Sequence, residues 1–160
     1  MKYKVAIITV SDKGSKGERQ DISGKVIEEM ISSWADIVSY KIIPDEKEII
    51  KKSLIEEVDK VDLILTNGGT GLAPRDVTPD ATLEVIEKQV PGIAEAMRWA
   101  GITKTKTAML SRAVAGVRGK TLIINLPGSP KAVKESLEAI MDALPHAIEK
   151  LKGDPSECGR

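Results

Sequence analysis

The chain contains no phenylalanine, and its aromatic side chains are limited to Trp34, Trp99, Tyr3 and Tyr40. With so few flat surfaces, base stacking is excluded as the main means of holding a nucleic acid, and any nucleotide must be recognised by backbone and polar groups. There is one cysteine, Cys158, in a polar C-terminal stretch, and one histidine, His146, in an expected helix. A Cys/His metal cluster within one chain is thereby excluded, both residues are expected to face solvent, and a reducing, cytoplasmic setting fits best. Net charge is also missing, since 24 lysines and arginines balance 24 aspartates and glutamates. That removes the electrostatic footprint of a dedicated nucleic-acid binder. Long apolar runs are absent too: Val5–Val10 is too short for a secretory segment or a membrane span. The expectation is a soluble, unprocessed protein without nucleic-acid or membrane partners.

What is present is a sufficient core. With 160 residues and 41% hydrophobic content, the chain is expected to fold as one domain over residues 1–152, followed by a flexible tail over 153–160. Val5–Val10 reads as a buried parallel strand, and a polar loop follows from Ser11 to Asp21. Ile22, Val26, Ile27, Met30, Ile31 and Trp34 recur with helical period. A second strand is expected over 36–43, closed by Pro44, with Asp45 at the natural N-cap of a helix running to about Asp59. Val61–Thr66 is a third strand. Helices are expected around Leu83–Ile86, from Pro91-Gly92 to Gly101, and from Val133 to Leu151 with a break at Pro145. Residues 102–109 carry no clear period. A short strand and glycine turn are read from Leu110 to Gly119, and Thr121–Leu126 is another buried strand. Alternating strands and helices imply an α/β fold with a mostly parallel sheet, whose ligands gather at the carboxyl ends of the strands.

Those ends carry the informative residues: Ser11-Asp12, Pro44-Asp45, Gly68-Gly69-Thr70-Gly71 and Asn125-Leu126-Pro127-Gly128. The glycine turn can adopt positive φ and present bare N–H groups to an anion. Arg75-Asp76-Val77-Thr78-Pro79-Asp80 follows, in which Thr78 suits an N-cap and Pro79 a first helical residue. Each of these residues also has an ordinary structural reading. Gly-rich turns connect elements, Asp45 caps, Asp76 organises its own loop, Asp80 complements a helix dipole, and Ser11 and Ser111 satisfy local backbone. Two nucleotide motifs fail on context. Gly119-Lys120-Thr121 ends like a P-loop, but position 114 is valine and a strand follows. The Gly-x-Gly-x-x-Gly fingerprint is absent after the first strand, which excludes a nicotinamide dehydrogenase.

Taken together, Thr66–Gly71, Arg75–Thr82, Leu110-Ser111-Arg112 and Asn125–Pro130 resemble the molybdopterin-binding family of molybdenum-cofactor biosynthesis over nearly the whole chain, and most of all its adenylylating members. The resemblance implies a three-layer α/β/α sandwich, usually trimeric, that uses ATP and Mg²⁺ to transfer AMP to molybdopterin and release pyrophosphate, the product passing to a metal-insertion protein. It places the catalytic, Mg²⁺-binding acids on Asp45 and Asp76. It places substrate contacts on Ser11, Gly68, Gly69, Thr70, Gly71, Ser111, Asn125, Pro127 and Gly128. Gly101 departs from a serine found in some relatives. Hard carboxylate oxygens suit Mg²⁺ independently of the resemblance, and Arg75, Arg112 or Lys13 are candidates to offset charge on the leaving group. The alternatives are a non-catalytic molybdopterin carrier, which has no need of both acids, and a regulatory subunit without nucleotide dependence.

Overall fold

The computed structural model describes residues 2–155. Six strands form one sheet: β1 (Tyr3–Val10), β2 (Ala35–Ile43), β3 (Leu63–Asn67), β4 (Lys88–Gln89), β5 (Ala115–Arg118) and β6 (Thr121–Leu126), in the order β2-β1-β3-β6-β5-β4. The strands β2, β1, β3 and β6 run parallel, while β5 and β4 add an antiparallel margin. The helices are α1 (Asp12–Ser15), α2 (Ile22–Ile31), α3 (Lys47–Glu57), α4 (Thr78–Val85), α5 (Pro91–Ile102), α6 (Pro130–Ile140) and α7 (Leu144–Leu151).

Strand alternation sorts the core into two layers. Val5, Ile7, Leu63, Leu65, Leu122 and Ile124 face α2, α5, α6 and α7, whereas Ala6, Ile8, Ile64 and Ile123 face α3 and α4. Both faces of the sheet are therefore covered, as a continuous apolar run requires. This is the expected three-layer arrangement. Edge strand β2 slips register where it passes Val5 and Ala6, leaving Val38 unpaired with β1 and 52% exposed. Such a bulge blunts an edge that would otherwise template further pairing.

Several local expectations are corrected. The strand expected from Leu110 starts at Ala115, because Lys106–Leu110 winds into a 3₁₀ turn packed on α5. The polar loop after β1 contains the short helix α1. The break at Pro145 is present: α6 ends at Ile140, and Pro145 lies in the first turn of α7. Cys158 lies outside the described residues. No helix among those residues is long and apolar enough to cross a membrane.

Candidate active site

Four loops at the carboxyl ends of the parallel strands enclose a cleft of about 690 Å³, bordered by Ser11, Asp45, Gly68, Gly69, Asp76 and Gly128. The loops after β1 and β2 are fastened to each other. The Asp12 N–H donates to Asp45 Oδ2 at 2.9 Å, and the Asp45 N–H donates to Asp12 Oδ1 at 3.0 Å. Arg75 reaches the same Asp12 carboxylate from the glycine loop, with Nε 2.6 Å from Oδ2 and Nη2 3.0 Å from Oδ1. The two-pronged Arg75 contact, helped by the Asp45 N–H, holds the Asp12 carboxyl down at about 2. Asp45 shifts the other way. Burial pushes its carboxyl above the ordinary range, against the Asp12 N–H bond, and the charges of Asp12 and Asp76 add to the rise. An anionic group disfavoured by burial and by like charges is one that a cation would relieve.

Asp45 does not cap α3 as expected. Glu46 holds that position without a side-chain bond, because the Asp45 carboxylate is turned across the cleft edge to α1. Ser11 caps α1, its Oγ accepting from the Gly14 N–H at 3.0 Å.

The glycine loop takes the positive φ angles its sequence allows, 94° at Gly68 and 68° at Gly69. The Gly68 N–H is already committed, donating to Leu126 O at 3.2 Å. No hydrogen bond within the described residues uses the N–H groups of Gly69, Thr70 or Gly71, so these three are the donors left for an anion. Asp76 accepts from the Ala73 N–H at 3.0 Å through Oδ2 and so organises its own turn. Arg112 is a strut and no free cation: it donates to Gly71 O at 2.9 Å, to Asp76 O at 2.6 Å and to both oxygens of Asp80. This stitches the glycine loop to α4 and holds the Asp80 carboxyl below its ordinary value.

The remaining expected site residues divide. Gly128 lines the cleft, and a Cβ there would lie 3.4 Å from Gly68 Cα, so the loops after β3 and β6 pack backbone to backbone. Asn125 is placed elsewhere. It is fully buried, its amide nitrogen donating to the hydroxyls of Thr66 at 3.1 Å and Thr82 at 3.0 Å and its oxygen accepting from the Val114 N–H at 3.2 Å. Ser111 and Pro127 line an adjoining cavity of about 270 Å³, which shares Ser129 with the cleft. Gly101 lines that cavity as well, and a Cβ there would lie 2.7 Å from the Ala108 Cβ. The 3₁₀ turn thus explains why glycine stands at 101.

Sequence reasoning missed Arg19 and Asp21, which also line the cleft. Asp21 caps α2 through the Gly24 N–H at 2.9 Å, and it accepts from the Thr9 hydroxyl at 2.7 Å and from the Tyr40 hydroxyl. Thr9 in turn accepts from Asn67 at 2.9 Å, the residue just before Gly68. The signal was an aspartate three residues before a glycine at the start of an amphipathic run, the pattern of an N-cap. Three donors converge on this one carboxylate, so Asp21→Asn, which keeps a single acceptor oxygen, is expected to lower unfolding free energy by about 1–3 kcal/mol. Urea denaturation reads this directly. A loss below about 0.5 kcal/mol would show that the relay carries no stability.

Among the described residues no group of three or more His, Cys, Asp or Glu side chains is placed to hold a metal ion. Mg²⁺ does not ask for one, since it typically takes one or two carboxylates and completes its shell with water and phosphate oxygens. The half-buried, charge-burdened Asp45 beside Asp76 fits that requirement.

The family model described as "Probable molybdopterin binding domain" matches residues 6–146. The molybdopterin adenylyltransferase of Helicobacter pylori (strain J99) is 44% identical over 155 residues, covering 94% of this chain and 88% of that protein. The Escherichia coli K12 protein of the same name is 40% identical over 167 residues, with 94% and 86% covered. Among solved structures, the molybdopterin biosynthesis enzyme MoaB of Thermus thermophilus superposes with a TM-score of 0.90 at 54% identity, covering 97% of this chain and 99% of that one.

Proposed function

The chain belongs to the molybdopterin-binding family, and from that premise we propose that it transfers the adenylyl group of ATP to molybdopterin, releasing pyrophosphate in molybdenum-cofactor biosynthesis. The observation that carries the reading is the cleft, where two carboxylates meet a glycine loop with three uncommitted N–H donors. Asp45 and Asp76 would hold Mg²⁺, which when bound offsets negative charge on the phosphates being joined. The N–H groups of Gly69, Thr70 and Gly71 orient a phosphate by donating to its oxygens. Arg112 and the Arg75–Asp12 pair keep these loops in register, which leaves Arg19, on the cleft wall, and Lys13, exposed on α1, as the cations available to the leaving pyrophosphate. Ser111 and Pro127 give the second cavity its substrate-facing wall.

Incubation with molybdopterin, ATP and Mg²⁺, followed by mass detection of the product, tests the reading. Adenylylated molybdopterin is expected. Tight molybdopterin binding with no adenylylated product would return the chain to the carrier reading.

The same reading includes a homotrimer in a cytoplasmic setting, handing its product to a metal-insertion protein. Apolar side chains exposed on α5 and the 3₁₀ turn support self-association: Trp99 is 77% and Met109 57% exposed, with Ile102 and Leu110 beside them in the chain. Light scattering should give three times the 17.3 kDa chain mass. Trp99→Glu should shift the population toward the single-chain mass, and a wild-type protein already at that mass would refute the trimer.

A further inference from the structure

Thr78 breaks the pattern of a well-satisfied interior. It is completely buried, and among the described residues its hydroxyl is the one buried side-chain polar atom without a hydrogen-bond partner. The expected role for this threonine is a helix cap, and the structure denies it that role. Val77 occupies the N-cap position of α4 with no side-chain bond, and Thr78 is the first helical residue. Its backbone is fully used, the N–H donating to Gly69 O at 3.1 Å and the carbonyl accepting from the Thr82 hydroxyl at 2.8 Å. Only Oγ1 is left over. A buried hydroxyl without a partner is a net loss to the folded state, so valine would be the better residue here if packing were the sole criterion.

The direction of the hydroxyl supplies the second observation. A Cβ built on Gly69 would collide with Thr78 Oγ1 and would lie 3.1 Å from Asp45 Oδ1. Both oxygens therefore converge on the small volume beside Gly69, and Asp45 Oδ1 makes no hydrogen bond within the described residues, its partner oxygen Oδ2 being taken by the Asp12 N–H. On the same loop, a Cβ at Gly71 would lie 2.9 Å from Asp76 Oδ2. Glycine at 69 keeps the space between Thr78 Oγ1 and Asp45 Oδ1 open, and glycine at 71 leaves room in front of the Asp76 carboxylate on the same loop.

We propose that Thr78 Oγ1 is a third hard-oxygen partner of the divalent cation held at Asp45 and Asp76, engaging the cation or a water of its shell. This rests on the cation reading given above. A neutral hydroxyl suits the position because it adds an oxygen without adding to the negative charge already crowding Asp45. It is a positioning group, acting through the cation and not on the adenylyl group itself.

The test uses Thr78→Val, which keeps shape and removes the hydroxyl, and Thr78→Ser, which keeps it. ATP titrations of the full chain by calorimetry, with Mg²⁺ and with EDTA, are paired with thermal melts in the absence of nucleotide. Thr78→Val should melt at the wild-type temperature or a few degrees higher. Its ATP affinity should fall about tenfold or more in Mg²⁺ and by less than about twofold in EDTA, with Thr78→Ser close to wild type in both. Equal ATP affinity of Thr78→Val and wild type in Mg²⁺ would overturn the proposal while leaving the Asp45–Asp76 site standing. A wild type whose ATP binding ignores Mg²⁺ would overturn the cation reading and the proposal with it. A melt lowered by several degrees in Thr78→Val would also overturn it, because the hydroxyl would then serve the fold.

Discussion

Asp76→Asn should slow adenylyl transfer by on the order of 100-fold or more, about 3 kcal/mol of transition-state stabilisation, and Asp45→Asn should do the same. Asparagine preserves the shape of each side chain and keeps one oxygen, so the Ala73 N–H at position 76 and the Asp12 N–H at position 45 retain an acceptor. What disappears is the negative charge that a divalent cation requires. Folding and chemistry should therefore separate. At position 45 the separation has a definite sign, because burial and the charges of Asp12 and Asp76 already disfavour the ionised form. Neutralising that carboxyl relieves a penalty in the cation-free protein, so Asp45→Asn should melt no lower than wild type. Molybdopterin affinity should change far less than turnover and is expected to tighten slightly, since a carboxylate without its cation repels phosphate. The double substitution should be little slower than either single one, because one missing acid already leaves the cation misplaced. Pre-steady-state turnover of the three variants, with molybdopterin titration, reads all of this. Turnover of Asp76→Asn within about threefold of wild type, under 1 kcal/mol, would reduce that residue to the organiser of its own turn.

How far the chain could be read depended on whether a residue's role was local. β1, β3 and β6 were legible because a strand buried on both faces needs an unbroken apolar run, and few other structures do. The helices α2, α3 and α6 followed from periodicity. β4 was missed because two exposed polar residues, Lys88 and Gln89, carry no alternation. The 3₁₀ turn at Lys106–Leu110 was illegible for a related reason: it repeats too briefly for any period to show. At the site, Gly68, Gly69, Asp45 and Asp76 stood at strand ends with ordinary structural readings of their own, so it was the resemblance, not the residue types, that singled them out, and the structure brings all four to one cleft. Asn125 shows the limit of such a placement. A polar residue at a strand end reads as ligand-facing, yet its amide is spent joining β6 to β3, α4 and the chain before β5. Arg112 was read as a free cation because the carbonyls that hold it, Gly71 O and Asp76 O, are backbone groups with no signature of their own. The cap at α3 was assigned one residue early. Pro44 excludes helix before it, so Asp45 was the first eligible cap, and only the tertiary contact to Asp12 shows its carboxylate drawn elsewhere.

Gly69→Ala should weaken both the fold and the site, in two parts that can be separated. One part is conformational: φ of 68° at Gly69 lies in the left-handed region, where an added Cβ costs about 1–2 kcal/mol. The other is steric. The new methyl would be driven against the oxygen of the fully buried Thr78, with Asp45 Oδ1 3.1 Å away, and crowding of a packed side chain of this kind costs about 1–3 kcal/mol more. For a domain of this length each kcal/mol corresponds to roughly 2–4 °C, so the variant should melt about 5–15 °C below wild type. Gly68→Ala should be worse, since its methyl would meet the carbonyl oxygen of Val10, which belongs to β1 and has no rotamer by which to move aside. The decisive comparison is Gly69→Ala combined with Thr78→Ala. Deleting the hydroxyl removes the atom the methyl strikes, while the remaining Thr78 Cβ stands 3.4 Å off, an ordinary contact. The pair should recover most of the steric part of the melting loss, keeping the tight approach to Asp45 Oδ1 and the left-handed part, a non-additivity of about 1–3 kcal/mol. Mg²⁺-dependent ATP binding should not recover at all, because the methyl fills the volume beside Gly69 and the hydroxyl oxygen is gone. Additive melting losses in the double variant would mean that Gly69 and Thr78 do not meet as the structure places them. Restored Mg²⁺-dependent binding would mean that the cation lies away from this face of the loop.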